Sequence, residues 1–142
     1  MRDFSKGYPD RQTTGRGSLK KILAKHGIEA SRIAGVLPLS PQVITHFKIR
    51  KERGIEDTQV VVDEFAPFHH IRKDLPPMVI ITGDRELEML GRYEENAYFV
   101  RMLKLVGNTR IKLFELDGFG HSAMKNPGLY LMVDELKKML KN

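Results

Sequence analysis

The sequence of 142 residues contains no cysteine and no tryptophan. Without cysteine, the chain has no disulfide framework, no thiolate metal site and no cysteine nucleophile. No apolar run approaches the roughly 20 residues that a helix needs to span a bilayer. Residues 1–7 lack the apolar core of a signal peptide, so we expect a cytoplasmic location and no membrane span.

Basic residues exceed acidic ones, 24 Lys and Arg against 18 Asp and Glu, and the formal net charge is +6. Such an excess raises the question of an acidic partner. The basic residues cluster at Lys20-Lys21, at 48–53 and at 137–141, and each cluster is interleaved with apolar or acidic residues. No aromatic stacking motif accompanies them, so we interpret them as solvated faces and expect no nucleic-acid partner.

The composition is that of a globular chain, with 41% hydrophobic and 30% charged residues. Residues 1–17 are rich in glycine, arginine, threonine and aspartate without any periodicity, which predicts an irregular lead. Residues 18–142 are predicted to form one partial domain, long enough for a hydrophobic core. An irregular insert is expected within it, at about residues 41–75, where no regular pattern persists.

Two apolar runs, at residues 78–82 and 111–116, have the length and composition of strands. The first is apolar throughout, as in a parallel strand that is covered on both faces. A weaker strand is predicted at residues 33–39, where Gly35 and Pro38 interrupt it. Helices are predicted around these strands, at 19–26 with Ser18 as cap and Gly27 as end, at 93–106, and from about 126 onward. This order predicts an α/β fold with about three parallel strands and right-handed crossovers.

Acidic residues follow the first of the two strong strands, and a histidine follows the second. In an open α/β sheet, chemistry collects at the carboxyl ends of the strands. His121 stands in Gly118-Phe119-Gly120-His121, and its imidazole is suited to act as a general base. Either Asp84 or Glu86 could orient that ring by accepting from its N–H, and the other would then cap the following helix.

No nucleophile motif accompanies this acid and histidine. The pattern G-x-S-x-G, which places a serine on a strained strand-to-helix turn, is absent from the sequence. Ser18 has glycines before it but none after it, and we interpret it as a helix cap. Ser40 is followed by Pro41 without a supporting glycine. Ser122 is too close in sequence to His121 to be its geometric partner.

A metal site is not expected. The pair His69-His70 is the one feature of the sequence that raises the question, but adjacent residues in an extended segment point in opposite directions. No third ligand stands at a recognisable spacing from them. We therefore expect packing or surface roles for both histidines, and no metal or other cofactor.

Five stretches carry a resemblance to a known family. They are LAKHGI at 23–28, RIAGVLPLS at 32–40, APFHHIRKDLPP at 66–77, ITGDRE at 81–86 and GFGH at 118–121. In this order and spacing, residues 24–136 resemble the C-terminal part of an α/β-hydrolase. The group is that of esterases and lipases, which includes the feruloyl-esterase-like carboxylesterases.

The resemblance implies a serine-dependent site for carboxylic ester hydrolysis, acting on small-molecule esters. It assigns the triad histidine to His121 and the triad acid to Glu86, with Asp84 as the alternative. The family's early strands, oxyanion loop and serine elbow would all precede residue 18, and the short lead does not contain them. We therefore expect a C-terminal portion that retains the acid and the histidine, lacks the serine, and is inactive alone.

An alternative hypothesis is a non-catalytic binding module. If half of the sheet is missing, the strand at residues 33–39 has an unpaired edge, and such edges pair readily with other chains. The module would associate with itself or with a partner through that edge.

Overall fold

The computed structural model describes residues 23–141, and the chain divides into two compact units at Arg32 and Ile33. In the first unit, residues 23–25 are helical, and Gly27 follows in the left-handed conformation with φ of 65°. The N–H of Ile28 donates to the carbonyl of Leu23 over 2.9 Å. This is the expected end of a helix at a glycine. The predicted cap at Ser18 and the predicted lead, residues 1–17, lie outside the described residues.

The second unit is an α/β structure in which two parallel strands alternate with two long helices. Strand β1 is Met78–Gly83, helix α2 is Arg92–Leu105, strand β2 is Ile111–Leu116 and helix α3 is Lys125–Leu140. A shorter helix, α1, spans Phe47–Glu52 in the predicted insert. The two strands pair in register from Met78 with Ile111 to Gly83 with Leu116. These elements confirm the predicted strands and helices to within a few residues at each end.

The third predicted strand runs beside β1 as an interrupted ladder, which we call the edge segment (residues 36–39). Val36 bridges Met78 and Leu39 bridges Ile81, both in parallel orientation. The N–H of Val36 donates to the carbonyl of Pro77, and the N–H groups of Val79 and Ile81 donate back to the edge segment. The donor missing from the middle of this ladder is that of Pro38, which has no N–H.

Helices cover both faces of β1, which explains its unbroken apolar sequence. Ile80 lies in a core cluster with Phe99 and Leu103 of α2. Val79 and Ile81 point the other way, into a second cluster with apolar residues of α3, namely Leu131, Met132 and Met139. Four of the six residues of β1 at its centre, residues 79–82, are no more than 1% exposed.

The insert contributes Val43 to the core cluster of Ile80, and polar contacts hold its short helix. Arg50 of α1 is 6% exposed, and its guanidinium donates to the carbonyl oxygens of Asp57 and Gln59. Gly54, with φ of 67°, follows the end of α1. One short helix thus lies within the segment that the sequence predicts to be irregular. Among the described residues, no helix is long and apolar enough to cross a membrane.

Leu103 of α2 offers a direct check of this core. Its side chain is fully buried, whereas Leu105 on the same helix is 62% exposed. We expect Leu103→Ala to lower the free energy of unfolding by about 2–5 kcal/mol, because it leaves a cavity against β1. Leu105→Ala should change it by no more than about 0.5 kcal/mol. Urea unfolding of the two variants checks this, and equal losses would contradict the assigned core.

Candidate active site

The turns that follow β1 and β2 are joined to each other at one end of the sheet. The N–H of Asp84 donates to the carbonyl of Phe119 over 2.8 Å. In return, the N–H of Gly118 donates to the Asp84 carboxylate over 2.8 Å. Because the two strands are parallel and in register, their carboxyl ends lie side by side, and these bonds fix one turn against the other.

Two glycines allow this close approach. A Cβ atom on Gly83 would collide with the carbonyl oxygen of Phe119. A Cβ atom on Gly120 would lie 2.9 Å from the carbonyl oxygen of Leu87. Both obstacles are backbone atoms, which cannot rotate away as a side chain can. Glycine is therefore required at both positions for the turn before His121 to pack on the turn after β1.

The carboxylate that contacts His121 is that of Glu88. Its Oε2 lies 2.9 Å from Nδ1 of the ring. The Glu88 side chain has no exposed surface, whereas that of His121 is 44% exposed. A buried carboxylate in contact with a half-exposed imidazole can orient the ring and stabilise its charged form.

The sequence favours Glu86 as the acid, with Asp84 as the alternative, whereas the structure brings Glu88 against His121. The chain makes one helical turn after β1, and the N–H of Glu88 donates to the carbonyl of Asp84 over 2.8 Å. That turn carries residue 88 back toward His121 and leaves Glu86 exposed. An extended turn would bring residue 86 rather than residue 88 toward His121. In a helical turn, the spacing of four residues from Asp84 indicates Glu88.

The Asp84 carboxylate contacts backbone N–H groups, whereas an acid that orients a histidine contacts the ring nitrogen. Its carboxylate accepts from the N–H of Gly118 and from the N–H of Glu86, over 2.8 Å in each case. These bonds, that from Gly118 first, lower the pKa of the Asp84 carboxyl. Asp84 therefore ties the two turns together, and Glu86 contributes its backbone to that tie.

The surroundings of Glu88 favour its ionised form. Burial raises the pKa of the Glu88 carboxyl, but hydrogen bonds more than offset this effect and hold the pKa below its ordinary value of 4.5. The donors are the Ser40 hydroxyl, the N–H groups of Met89 and Gly83, and the His121 ring. An ionised carboxylate only accepts hydrogen bonds, so Nδ1 of His121 is the donor in this pair.

This assignment leaves Nε2 as the basic nitrogen of the neutral ring. Nε2 has no hydrogen-bond partner within residues 23–141. A half-exposed imidazole with a free Nε2 and an anion at Nδ1 is arranged to take a proton from a group in front of it.

Ser40 is a member of the site that the sequence did not reveal. It is 6% exposed, and its Oγ lies 3.1 Å from Nδ1 of His121. This is the nitrogen that Glu88 occupies, whereas a serine nucleophile must face the other one. The expectation that Ser40 is not the nucleophile thus agrees with its position. Ser122 is exposed, and Ser18 lies outside the described residues.

The histidine pair His69-His70 lies apart from this cluster. The two rings meet edge to face with centroids 5.1 Å apart, and Nε2 of His70 lies 2.6 Å from the carbonyl oxygen of Glu64. Within residues 23–141, no group of three or more His, Cys, Asp or Glu side chains is arranged to hold a metal ion.

By sequence, the chain matches no protein-family model and no curated protein. Solved structures of one planctomycete enzyme, Thermogutta terrifontis esterase 2, do match. The apo form has a TM-score of 0.57 at 24% identity, over 81% of this chain and 44% of the esterase. The propionate-bound form gives 0.56 at 23% over the same shares. The form phosphoramylated by tabun gives 0.58 at 24%, over 81% and 43%.

The chain thus spans less than half the length of the esterase structures it matches. At this level of identity, the likeness establishes the fold. The chain has an α/β fold that corresponds to part of the fold of that esterase, which agrees with the predicted partial α/β-hydrolase fold.

The dependence of the free energy of unfolding on pH, at acidic pH, distinguishes Glu88 from Glu86. The folded-state pKa of Glu88 is depressed, so its stabilising effect is present above the unfolded value and is lost as the pH falls through the folded value. At about pH 7, Glu88→Gln should cost about 1–3 kcal/mol, because an amide donor then faces buried donors. The cost should shrink well below pH 4.5, where the native carboxyl is also protonated.

Glu86→Gln is the matched control, since it changes an exposed carboxylate two residues earlier in the chain. Urea unfolding at about pH 7 and at about pH 3 measures both variants. A loss for Glu86→Gln that equals the loss for Glu88→Gln would contradict the assignment. So would a loss for Glu88→Gln that stays constant as the pH falls.

Proposed function

We propose that this chain is the acid-and-base portion of a serine carboxylesterase of the α/β-hydrolase type. The observation that carries the proposal is the contact between Glu88 and Nδ1 of His121 over 2.9 Å. In such a site the histidine removes the proton of a serine hydroxyl, and the acid holds the ring in the correct tautomer. Glu88 and His121 have the positions for these two roles, at the carboxyl ends of adjacent parallel strands.

The states in which the matching esterase is known guide the choice of substrates to test. That esterase is described in a propionate-bound form and in a form phosphoramylated by tabun. For the present chain, these states make esters of short carboxylic acids the first substrates to test. Acyl transfer of this kind requires a nucleophile and an oxyanion hole besides the acid and the base.

By this proposal, the chain does not hydrolyse esters by itself. The sequence has no G-x-S-x-G, and Ser40 faces the ring nitrogen that already binds Glu88. Residues 23–141 place no hydroxyl at Nε2 of His121, so the nucleophile and the oxyanion hole that stabilise a tetrahedral intermediate would have to come from another segment. The pair would work only when a serine-bearing segment is placed against it.

Ester turnover tests this directly. We expect the purified chain to hydrolyse p-nitrophenyl acetate no faster than an equal concentration of imidazole, and to resist labelling by a fluorophosphonate. His121→Ala should lower the slow background rate no more than the control His69→Ala, which removes another exposed imidazole. Rapid turnover that His121→Ala abolishes and His69→Ala preserves would overturn the proposal, because the chain would then contain its own nucleophile.

A second candidate function is self-association through the border of the sheet. The backbone groups of residues 36, 38 and 40 form hydrogen bonds with β1. The N–H and carbonyl of Leu37, which alternate with them, therefore point to the side of the edge segment away from β1. Among the described residues no strand pairs with that side. A bare strand edge of this kind is a template for pairing with a second chain.

Helix α3 carries an exposed apolar surface of its own. It covers the edge segment, since Gly128 lies against Leu39. Four of its apolar residues recur at steps of three and four and form one stripe outside the core, which we call the α3 stripe. They are Leu129, Val133, Leu136 and Leu140, with exposed fractions of 42%, 49%, 41% and 71%. A helix normally buries such a stripe against another element, and we propose a second copy as that element.

Light scattering on charge variants tests the second candidate. We expect the chain to form dimers at micromolar concentration, and Val133→Lys with Leu136→Lys to shift it to monomer, because two lysines in the α3 stripe oppose burial. The control is Tyr130→Lys, which changes an exposed aromatic residue outside the stripe and should leave the dimer intact. A monomer at all concentrations would remove this candidate.

A further inference from the structure

Ser40 has an unusual backbone conformation for its residue type. Among the described residues, it is the one residue other than glycine with a positive φ, 41°. Its N–H donates to the carbonyl of Ile81 over 2.7 Å, which completes the ladder between the edge segment and β1. An L-residue in this region is strained and persists only where its surroundings fix it. The contacts that surround Ser40 must therefore hold it in this conformation.

The first turn of α2 supplies those surroundings. Arg92 donates from its guanidinium to the carbonyl of Ser40 over 2.6 Å. Asn96, one helical turn later, donates to the carbonyl of Pro41 over 2.8 Å. Arg92 is 7% exposed and Asn96 is not exposed at all. Two successive carbonyl groups are thus held by side chains from one face of a single helix.

A third side chain of the same turn anchors this arrangement. Glu95 pairs with Arg92 over 2.9 Å, and both side chains are less than a tenth exposed. Its other oxygen accepts from the N–H of Ile44 over 3.2 Å. Burial raises the pKa of the Glu95 carboxyl, against the effects of Arg92 and of the backbone donors. A buried pair of this kind is costly to break from one side, so it keeps Arg92 in a fixed position.

The hydroxyl of Ser40 lies between Arg92 and the pair of Glu88 and His121. Its Oγ is 3.3 Å from the Arg92 guanidinium, which only donates, so Oγ is the acceptor there. Nδ1 of His121 carries its own proton toward the ionised Glu88, so the Ser40 proton does not go to the ring. The remaining acceptor is the Glu88 carboxylate, which lies at the same Nδ1 as Ser40 Oγ and whose pKa hydrogen bonding from Ser40 lowers.

We propose that Ser40 is a positioning residue of this site, whose hydroxyl accepts from Arg92, donates to Glu88, and so holds the Glu88 carboxylate against Nδ1 of His121. Hydrogen bonding then runs in one direction, from the α2 turn through Ser40 to the acid. The charged and titratable groups that meet at this point are Arg92 and Glu95 of α2, Glu88 and His121. The inference rests on the proposed function for the meaning of the pair as acid and base, but its contacts are testable without any ester substrate.

Two substitutions of Ser40 separate the hydroxyl from the backbone strain. Ser40→Ala removes the hydroxyl and keeps the strain, whereas Ser40→Gly removes the hydroxyl and relieves the strain. The readout is the pKa of the Glu88 carboxyl, followed by ¹³C NMR of the side-chain carboxyl during a pH titration. Both variants lack one donor to the carboxylate, so both should raise the Glu88 pKa by the same amount relative to the unsubstituted chain. Ser122→Ala, an exposed serine beside His121, should leave it unchanged.

The thermal midpoints give the second readout. Ser40→Gly should unfold at a higher temperature than Ser40→Ala, because glycine accepts the positive φ. A purely structural role for Ser40 predicts a different pattern, in which Ser40→Gly keeps the Glu88 pKa of the unsubstituted chain. That result would overturn the positioning role, as would a Ser122→Ala shift as large as that of Ser40→Ala.

Fluorophosphonate labelling followed by peptide mass spectrometry separates this inference from the proposed function. No label on any serine is the expected result. Label on Ser40 would overturn the positioning role, because Ser40 would then be a nucleophile. Label on another serine would overturn the claim that the chain lacks a nucleophile, while the Glu88 titration of the Ser40 variants would still decide the role of Ser40.

Discussion

The hydrogen bond between the buried Glu88 carboxylate and His121 is the contact on which the rest of the site depends. Removing a carboxylate from water is expensive unless donors surround it. Here the side chain is fully buried, and the Gly83 and Met89 N–H groups donate to it over 3.2 and 2.9 Å. With these donors in place the carboxylate stays ionised, and the imidazole has one nitrogen fixed and the other free.

The backbone geometry at the ends of two strands brings Glu88 and His121 together. Parallel pairing in register brings both turns to one edge, and glycine at Gly83 and Gly120 lets their backbones touch. Asp84 then ties the turn after β1 to the turn before His121. The first turn of α2 adds a third support through Arg92 and Ser40. The strand pairing, the Asp84 bonds and the Arg92 bond to the Ser40 carbonyl all fix backbone atoms. A loop whose backbone is fixed keeps its side chains in a constant direction.

Much of the fold could be predicted from the sequence, because its signals are periodic or compositional. The apolar run at 78–82, the amphipathic pattern of α3 and the glycines after the helices each have a local physical cause. The location of His121 at the carboxyl end of a strand could also be predicted, because the apolar run at 111–116 and the two glycines before the histidine mark a strand followed by a turn. The partial third strand was predicted as well, and Pro38 explains why its ladder is interrupted.

The identity of the acid and the role of Ser40 could not be predicted in the same way. Glu86 and Glu88 are chemically identical, and the choice between them depends on a single helical turn after β1. Ser40 was judged only by the glycines around it, which is the right test for a nucleophile but not for a residue that supports an acid. Its conformation depends on Arg92 and Asn96, more than 50 residues away in sequence, and no local pattern reports such contacts.

The protonation of the His121 ring tests the central claim most directly. Long-range ¹H–¹⁵N spectra distinguish a proton on Nδ1 from a proton on Nε2 in the neutral imidazole. The Glu88 contact predicts the Nδ1–H form in the unsubstituted chain and in Glu86→Gln, and its loss in Glu88→Gln. A ring with its proton on Nε2 in the unsubstituted chain, or one that Glu88→Gln leaves unchanged, would contradict the account.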